Sequence, residues 1–463
     1  MILDIAICVA VMFGIGQPSS PDSLVAPMRI DTLTDLELTI FPPERTILPI
    51  TYQISWGDGT SLWTKALHSN TDYTRYHRYH RFGDFSIRVR AQDSLEHLSA
   101  WGKPITVTVT HPVLKWVFRT SDPIVASPSI DKNGNIYIGD ESGKLYCVNP
   151  QGQFRWSFQT QGPVYASAVI HKGLVYVASM DSNLYCLDTK GKMRWKLYLE
   201  DEFYTPPAID AKGNIYIGSN AGKLLAITPK GKLRWAYKTG DEISSSPSIG
   251  LNGLIYTTSD SVYCIDSRGR RHWAFGTDEC DYFFAAAIPD PEGNVYTGND
   301  DGFLYCIRPD GRLRWRAPVP DEDEIKTEVT IGPNDTLFLG TEGYYLCRKP
   351  PNGLIRTIYE ADDVLIAPPA LSTNGTAYFF PDDGLVYALS SQGRLVWKYE
   401  IAVEEKDLCY TSAPTIGPDS TVYVGSWDGG LYAFEGDGPP ANSLWPQYRH
   451  DAQHTGRLTR PEK

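Results

Sequence analysis

Little in this sequence points to catalysis. None of the eight cysteines is adjacent to another, and none forms a Cys-x-x-Cys pair. That argues against a thiol redox centre or a zinc knuckle. There are nine histidines: five fall between His68 and His111, two near the C-terminus, and only His171 and His272 lie between. His77 and His80, three apart on a strand-like stretch, point to opposite faces and cannot easily share a metal. No G-x-S-x-G or H-E-x-x-H occurs. Positive charge is in deficit, with 43 Lys and Arg against 55 Asp and Glu and a net charge of −12, so a nucleic-acid backbone is not expected as partner. No long apolar run exists. The longest, Ile5–Gly16, falls short of the ~20 residues a spanning helix needs and suits a signal-peptide core, although Asp4 replaces the usual basic flank. Residues 1–26 are therefore read as a leader-like segment and linker, with no transmembrane helix expected in a mature chain and an extracytoplasmic location: secreted, periplasmic or cell surface. Helical periodicity is missing as well.

What is present is turn residues and aromatics: 40 glycines, 33 prolines and 28 tyrosines, a composition that favours strands and tight turns. One short pattern keeps returning. Gly-x-x-x-Trp ends at Trp156, Trp195, Trp235, Trp273, Trp315 and Trp397, and Thr357 takes the tryptophan slot once. A fixed period in this range marks a repeat architecture. Each unit holds four short strands, as in SPSI, NIYIG, KLYCV and QFRWSF from Ser127 to Phe158. Tyr146, Tyr185, Leu225, Tyr263, Tyr305, Leu346, Tyr387 and Tyr432 share one slot, which makes eight units.

The expected fold is all-β: an eight-bladed β-propeller of four-stranded blades over residues 113–434. The last unit lacks its Trp strand, and VLKWVFRT at Val113–Thr120 is a Trp strand without a unit. The Trp116 strand should therefore close the last blade and leave no edge open at the seam. The tryptophans, Trp116 included, should pack between neighbouring sheets. Cys147, Cys186, Cys264, Cys306 and Cys347 share a slot filled elsewhere by alanine, and should be free buried thiols.

Residues 27–112 lie outside the repeat. ISWGDGTSLW from Ile54 and YHRFGDFSIRVRAQD from Tyr79 suggest a small β-sandwich, and they resemble the PKD-type immunoglobulin-like domain, a spacer or adhesion module. Asp58 in its turn is either a cation ligand or a residue capping its own backbone. The tail, residues 435–463, contains WPQYRHDAQHTG from Trp445 to Gly456. With the blades, it resembles the pyrroloquinoline-quinone-like (quinoprotein-like) propeller repeat family, over about residues 113–457. In that family the tail segment implies a clasp packed on the propeller.

In quinone-dependent dehydrogenases of this superfamily, the cofactor lies over the central channel, held by a stacking Trp, Ca²⁺ and usually a vicinal Cys-Cys pair. This chain lacks that pair and the covering insertions, so no cofactor is expected. The expected role is a non-catalytic scaffold binding another macromolecule, by analogy with the propeller lipoprotein of outer-membrane protein assembly. The alternative is a quinone- or Ca-dependent oxidoreductase. Acidic loops mark one face: Glu200, Asp201, Glu202, Asp241, Glu242, Asp278, Glu279, Asp321, Glu322, Asp323, Glu324, Asp362, Asp363, Glu404 and Glu405, with Asp140, Asp301 and Asp383 among further acids in the second-to-third-strand loops. They either solvate exposed loops or dock a basic partner, a protein or surface polymer, or a cation such as Ca²⁺.

Overall fold

The computed structural model describes residues 7–12, 28–31, 36–41, 50–67, 73–77, 83–102, 104–110, 113–277, 282–401 and 412–459. The chain divides into two compact units, Met1–Pro112 and Val113–Lys463.

The first unit contains a three-stranded and a five-stranded sheet. Ile7–Met12, inside the leader-like run, forms a strand parallel to Leu36–Phe41, which in turn pairs antiparallel with Tyr73–His77. The larger sheet has the order Met28–Asp31, Ile105–Thr110, Gly83–Gln92, Thr51–Ser55, Ser61–Trp63. Alternation along FSIRVRA puts Ile87, Val89 and Ala91 inside, in one core with Leu38, Ile54 and Trp56. Asp58 accepts from the Thr60 backbone N–H at 2.9 Å and the Thr60 hydroxyl at 2.6 Å, and it lies 2.7 Å from His77 Nε2. It is a turn-capping residue bound to protein groups. His80 lies outside the described residues.

The second unit is all-β, with eight four-stranded antiparallel sheets among the described residues. We number them by their innermost strands: Ser129–Ile130, Val169–His171, Ala208–Ile209, Ser248–Ile249, Ile288–Pro289, Thr330–Ile331, Ala370–Leu371 and Thr415–Ile416. The Ala413 backbone N–H donates to the Ser127 hydroxyl, whose own N–H donates to Ser167 Oγ, so the eighth, first and second sheets meet at their inner strands. The outer strand of the eighth sheet comes from the other end of the unit: Leu114–Arg119 pairs with Gly430–Glu435, with Ala433 opposite Trp116. The architecture is a β-propeller closed by the N-terminal strand of its own unit.

Glycine explains how the sheets fit together. A Cβ on Gly231 (φ +70°) would lie 2.6 Å from the Trp195 ring of the preceding sheet; Gly152 stands in the same relation to Trp116, and Gly191 to Trp156. The indole N–H then donates to the same turn, from Trp116 to Pro150 O at 2.9 Å and from Trp235 to Ser267 O at 3.1 Å. Gly and Trp of one motif thus face opposite neighbours. Five of the eight seams pair a glycine and a tryptophan in this way, which is why the chain repeats them. Trp397 has no such turn beyond it. It packs instead on Phe434, centroids 5.5 Å apart.

The five slot-sharing cysteines are buried and free. Burial pushes Cys147, Cys186, Cys264 and Cys306 up to about 12, so they are unreactive as thiolates near neutral pH.

Candidate functional site

An innermost strand presents unpaired N–H groups to the axis, and a buried donor must find an acceptor. The tail supplies the acceptors. Ile170 N–H donates to Gln453 O at 2.9 Å, Ile209 to Thr455 O at 3.0 Å, Ile249 to Gly456 O at 2.9 Å, Ile331 to Trp445 O at 2.8 Å and Leu371 to Pro446 O at 2.9 Å. Ile130 donates to Ala452 O, and Ile416 to the Gln447 side chain at 2.8 Å. Every sheet but the fifth donates. There the slot holds Pro289, which has no N–H.

The WPQYRHDAQHTG segment can now be read residue by residue. Trp445 donates its indole N–H to Glu328 at 2.7 Å, and Arg449 its backbone N–H to the same oxygen at 2.8 Å. The fully buried Arg449 guanidinium donates to Pro247 O at 2.6 Å and Pro207 O at 2.7 Å. Gly456 leaves room for it, since a Cβ there would lie 2.2 Å from an Arg449 nitrogen. Asp451 accepts from the Thr455 hydroxyl at 2.6 Å and the Thr455 N–H at 3.0 Å. His454 is fully buried, 3.3 Å from Thr415 Oγ1, and burial depresses it to about 3. Burial raises Glu328 above the usual carboxylate range, while the Arg449 charge opposes that shift. Glu328 fills a slot held by Ser127, Ser167 and Ser246 in other sheets. Sequence reading passed it over, although one acid in a small-residue slot was a visible signal.

These contacts close the axis on the side of the first-to-second-strand turns. The acidic loops belong to the other side. Glu342 N–H donates to Glu324 O and Asn220 N–H to Glu202 O, so the loops entering the inner strands lie against the second-to-third-strand loops. Among the acids there, Glu200, Glu202, Asp241, Glu242, Asp321, Glu322 and Asp362 are exposed, and Asp201, Asp323, Glu324 and Asp363 half-buried. Asp278, Glu279, Glu404 and Glu405 lie outside the described residues.

Several of these acids are committed internally. Asp201 holds Lys223 at 3.0 Å, and Glu324 holds Lys326 at 3.0 Å. Asp241 accepts from Tyr282 OH at 2.8 Å, Asp321 from Tyr345 OH at 3.2 Å and Asp363 from the Val364 N–H at 2.8 Å. Asp323 is raised by burial and by neighbouring Asp321 and Glu342. Acids at the start of the third strands are turn residues: Asp140, Asp383 and Asp301 each accept a tyrosine hydroxyl, from Tyr146 at 3.0 Å, Tyr387 at 2.6 Å and Tyr305. The acidic mouth is therefore smaller than the count of acids implies. No cluster of His, Cys, Asp and Glu suited to a metal occurs among the described residues.

Residues 52–274 and 258–439 match the family model described as outer membrane protein assembly factor BamB. The chain belongs to that family. Among solved structures it is similar to BamB from Moraxella catarrhalis, at 13% identity and TM-score 0.58, covering 70% of this chain and 99% of that one. Sqt1 of Saccharomyces cerevisiae matches at 12% identity and TM-score 0.59, covering 69% and 98%. A europium-containing methanol dehydrogenase matches at 12% identity and TM-score 0.55, covering 68% and 85%. These likenesses establish the propeller fold. No curated protein matches the chain.

Proposed function

We propose that the chain is a non-catalytic, extracytoplasmic scaffold of the BamB-like family: an eight-bladed propeller behind a PKD-like, immunoglobulin-like module, docking another macromolecule on its acidic mouth. The observation that carries this reading is the contrast along the axis. The tail occupies one side, and the exposed acids gather on the other. Such clustering costs repulsion that scattered charges would avoid, and it favours a basic protein or polymer. The two moderately similar structures named for BamB and Sqt1 share the ring, and the family description names protein assembly. The reading includes no redox cofactor, with Ca²⁺ at the acids as the one cation to test.

The test is capture of partners from an envelope extract by the intact chain and by Glu200→Gln/Glu202→Gln/Glu242→Gln/Glu322→Gln. The variant should keep its melting temperature and lose capture about tenfold or more at low salt, because rim charges act mainly on encounter. Survival of capture in this variant, with loss on charge reversal of Lys190, Lys192, Lys230 and Lys232, would move the docking face to the other side. Saturable binding of pyrroloquinoline quinone with Ca²⁺, accompanied by alcohol oxidation, would replace the scaffold by an oxidoreductase.

A further inference from the structure

The residues entering each inner strand alternate between two environments. Ile124, Val164, Ile243, Ile325 and Leu365 are buried, each over the glycine that ends a second strand; a Cβ on Gly139 would lie 2.3 Å from Val164, and one on Gly425 2.3 Å from Ile124. The next residue along the chain has the opposite environment. Val125, Tyr165, Phe284, Lys326 and Ile366 are half-buried, and Tyr204 is 48% exposed. Ser244 interrupts the set.

On two pairs of consecutive sheets, equivalent positions touch one another here. The Tyr165 and Tyr204 rings stack with centroids 5.9 Å apart and planes 3° apart. Lys326 Nζ lies 5.5 Å from the Phe284 centroid. Contact between the same slot of neighbouring blades requires the place where blades converge, so these side chains form a collar round the axis. It is mostly aromatic and aliphatic, and it sits on the acidic side.

The geometry points to this collar as the docking site for a peptide segment carrying lysine or arginine beside apolar side chains. The inference rests on the acidic-mouth reading above and deepens it. Charge complementarity selects the occupant. Glu200, Glu202, Glu242, Glu322 and Asp362 are exposed on the surrounding loops. Of the cations on this side, Arg119, Lys223 and Lys326 are already paired with Asp428, Asp201, and Glu324 and Glu342, Lys144 lies over the Tyr146 ring, and Lys238, opposite Lys223, is outnumbered by the exposed acids. The unanswered charge is negative, which disfavours nucleic acid and anionic lipid. A purely cationic chain would use the rim and leave the collar wet. An amphipathic one covers both, since tyrosine faces bury apolar groups and attract cations. Exposed tyrosines are also the residue type enriched where binding energy concentrates.

The experiment measures fluorescence anisotropy of three labelled peptides with the full chain: one alternating Lys with Leu and Trp, one alternating Lys with Ser and Gly, and one with Glu replacing Lys in the first. The Lys/Leu/Trp peptide should bind tightest. Tyr165→Ala/Tyr204→Ala should weaken it about tenfold and leave the Lys/Ser/Gly peptide unchanged. The glutamine variant above should weaken both cationic peptides. If both cationic peptides bind alike and the tyrosine variant weakens neither, the collar inference falls and the acidic mouth stands. If neither cationic peptide binds, or the Glu peptide binds as well as they do, both readings fall. Should the double variant unfold, Tyr204→Ala and Tyr204→Phe carry the test, because that ring is half exposed. Alanine should weaken the Lys/Leu/Trp peptide, and phenylalanine should retain it.

Discussion

The two sides of the propeller axis are built from opposite materials. On one side, Trp445–Gly456 places its carbonyls and its one fully buried arginine against the inner strands, and the backbone N–H groups of seven inner strands find acceptors there. On the other, the loops present exposed carboxylates and a partly open aromatic collar. The lesson is in what each charge faces. Glu328 and Arg449 are charges that folding itself consumes, whereas Glu200 or Glu322 contributes nothing the ring requires.

That contrast can be broken or sharpened by experiment. Removing residues 444–463 should have the largest effect, because it leaves the buried N–H groups of Ile130, Ile170, Ile209, Ile249, Ile331 and Leu371 without their acceptors. The melting temperature should fall by tens of degrees or cooperative unfolding should disappear (of order 1–3 kcal/mol for each stranded donor). A truncated chain melting like the intact one would mean that the tail only rests on the ring.

A smaller loss is expected at Glu328, which accepts from the tail and whose charge acts on buried Arg449. Glu328→Ala leaves the buried Trp445 indole and Arg449 backbone N–H groups without their acceptor, as well as removing the charge that acts on Arg449, and should cost about 3–5 kcal/mol in denaturant unfolding. Glu328→Gln keeps an acceptor for the Trp445 and Arg449 N–H groups and should cost clearly less. Equal costs would show that the charge, and not the hydrogen bonds, holds the tail.

A different kind of effect is a slope with pH. His454 has its pKa depressed from 6.5 to about 3 by burial. A neutral histidine in the fold becomes charged more readily on unfolding, so its contribution to stability is complete above pH 6.5 and is lost as pH falls from 6.5 towards 3. His454→Gln should flatten unfolding free energy against pH across that window relative to the parent chain. Parallel curves would remove His454 from the account. Neutralising the acids of the open side should leave stability unchanged or raised, the opposite sign to every change at the tail.

Much of the ring was legible before any coordinate. The Gly-x-x-x-Trp period, the four-strand unit and the unpaired Trp116 strand are local patterns that repetition amplifies. The tail segment was recognisable too, and its resemblance implied a clasp, but not the groups it would hold. Nothing near Trp445 in the chain indicates that Glu328 receives its indole, because the two are far apart in sequence and meet only across the axis. The collar escaped for a similar reason. Val125, Tyr165, Tyr204, Phe284 and Ile366 are of four residue types, and only the convergence of blades makes one surface of them. Acids were over-read, since loop composition does not distinguish Asp383, bound to Tyr387, from Glu322.

By itself, then, the sequence determined the all-β class, the repeat and its glycine–tryptophan seams, since a period of turns and alternating apolar residues specifies local strands and their packing faces. Only the tertiary structure decided which charges are spent inside and which remain for a partner. Closing a ring brings equivalent positions of distant repeats to one axis, and the choice between burial and exposure is made there, by geometry no local window contains.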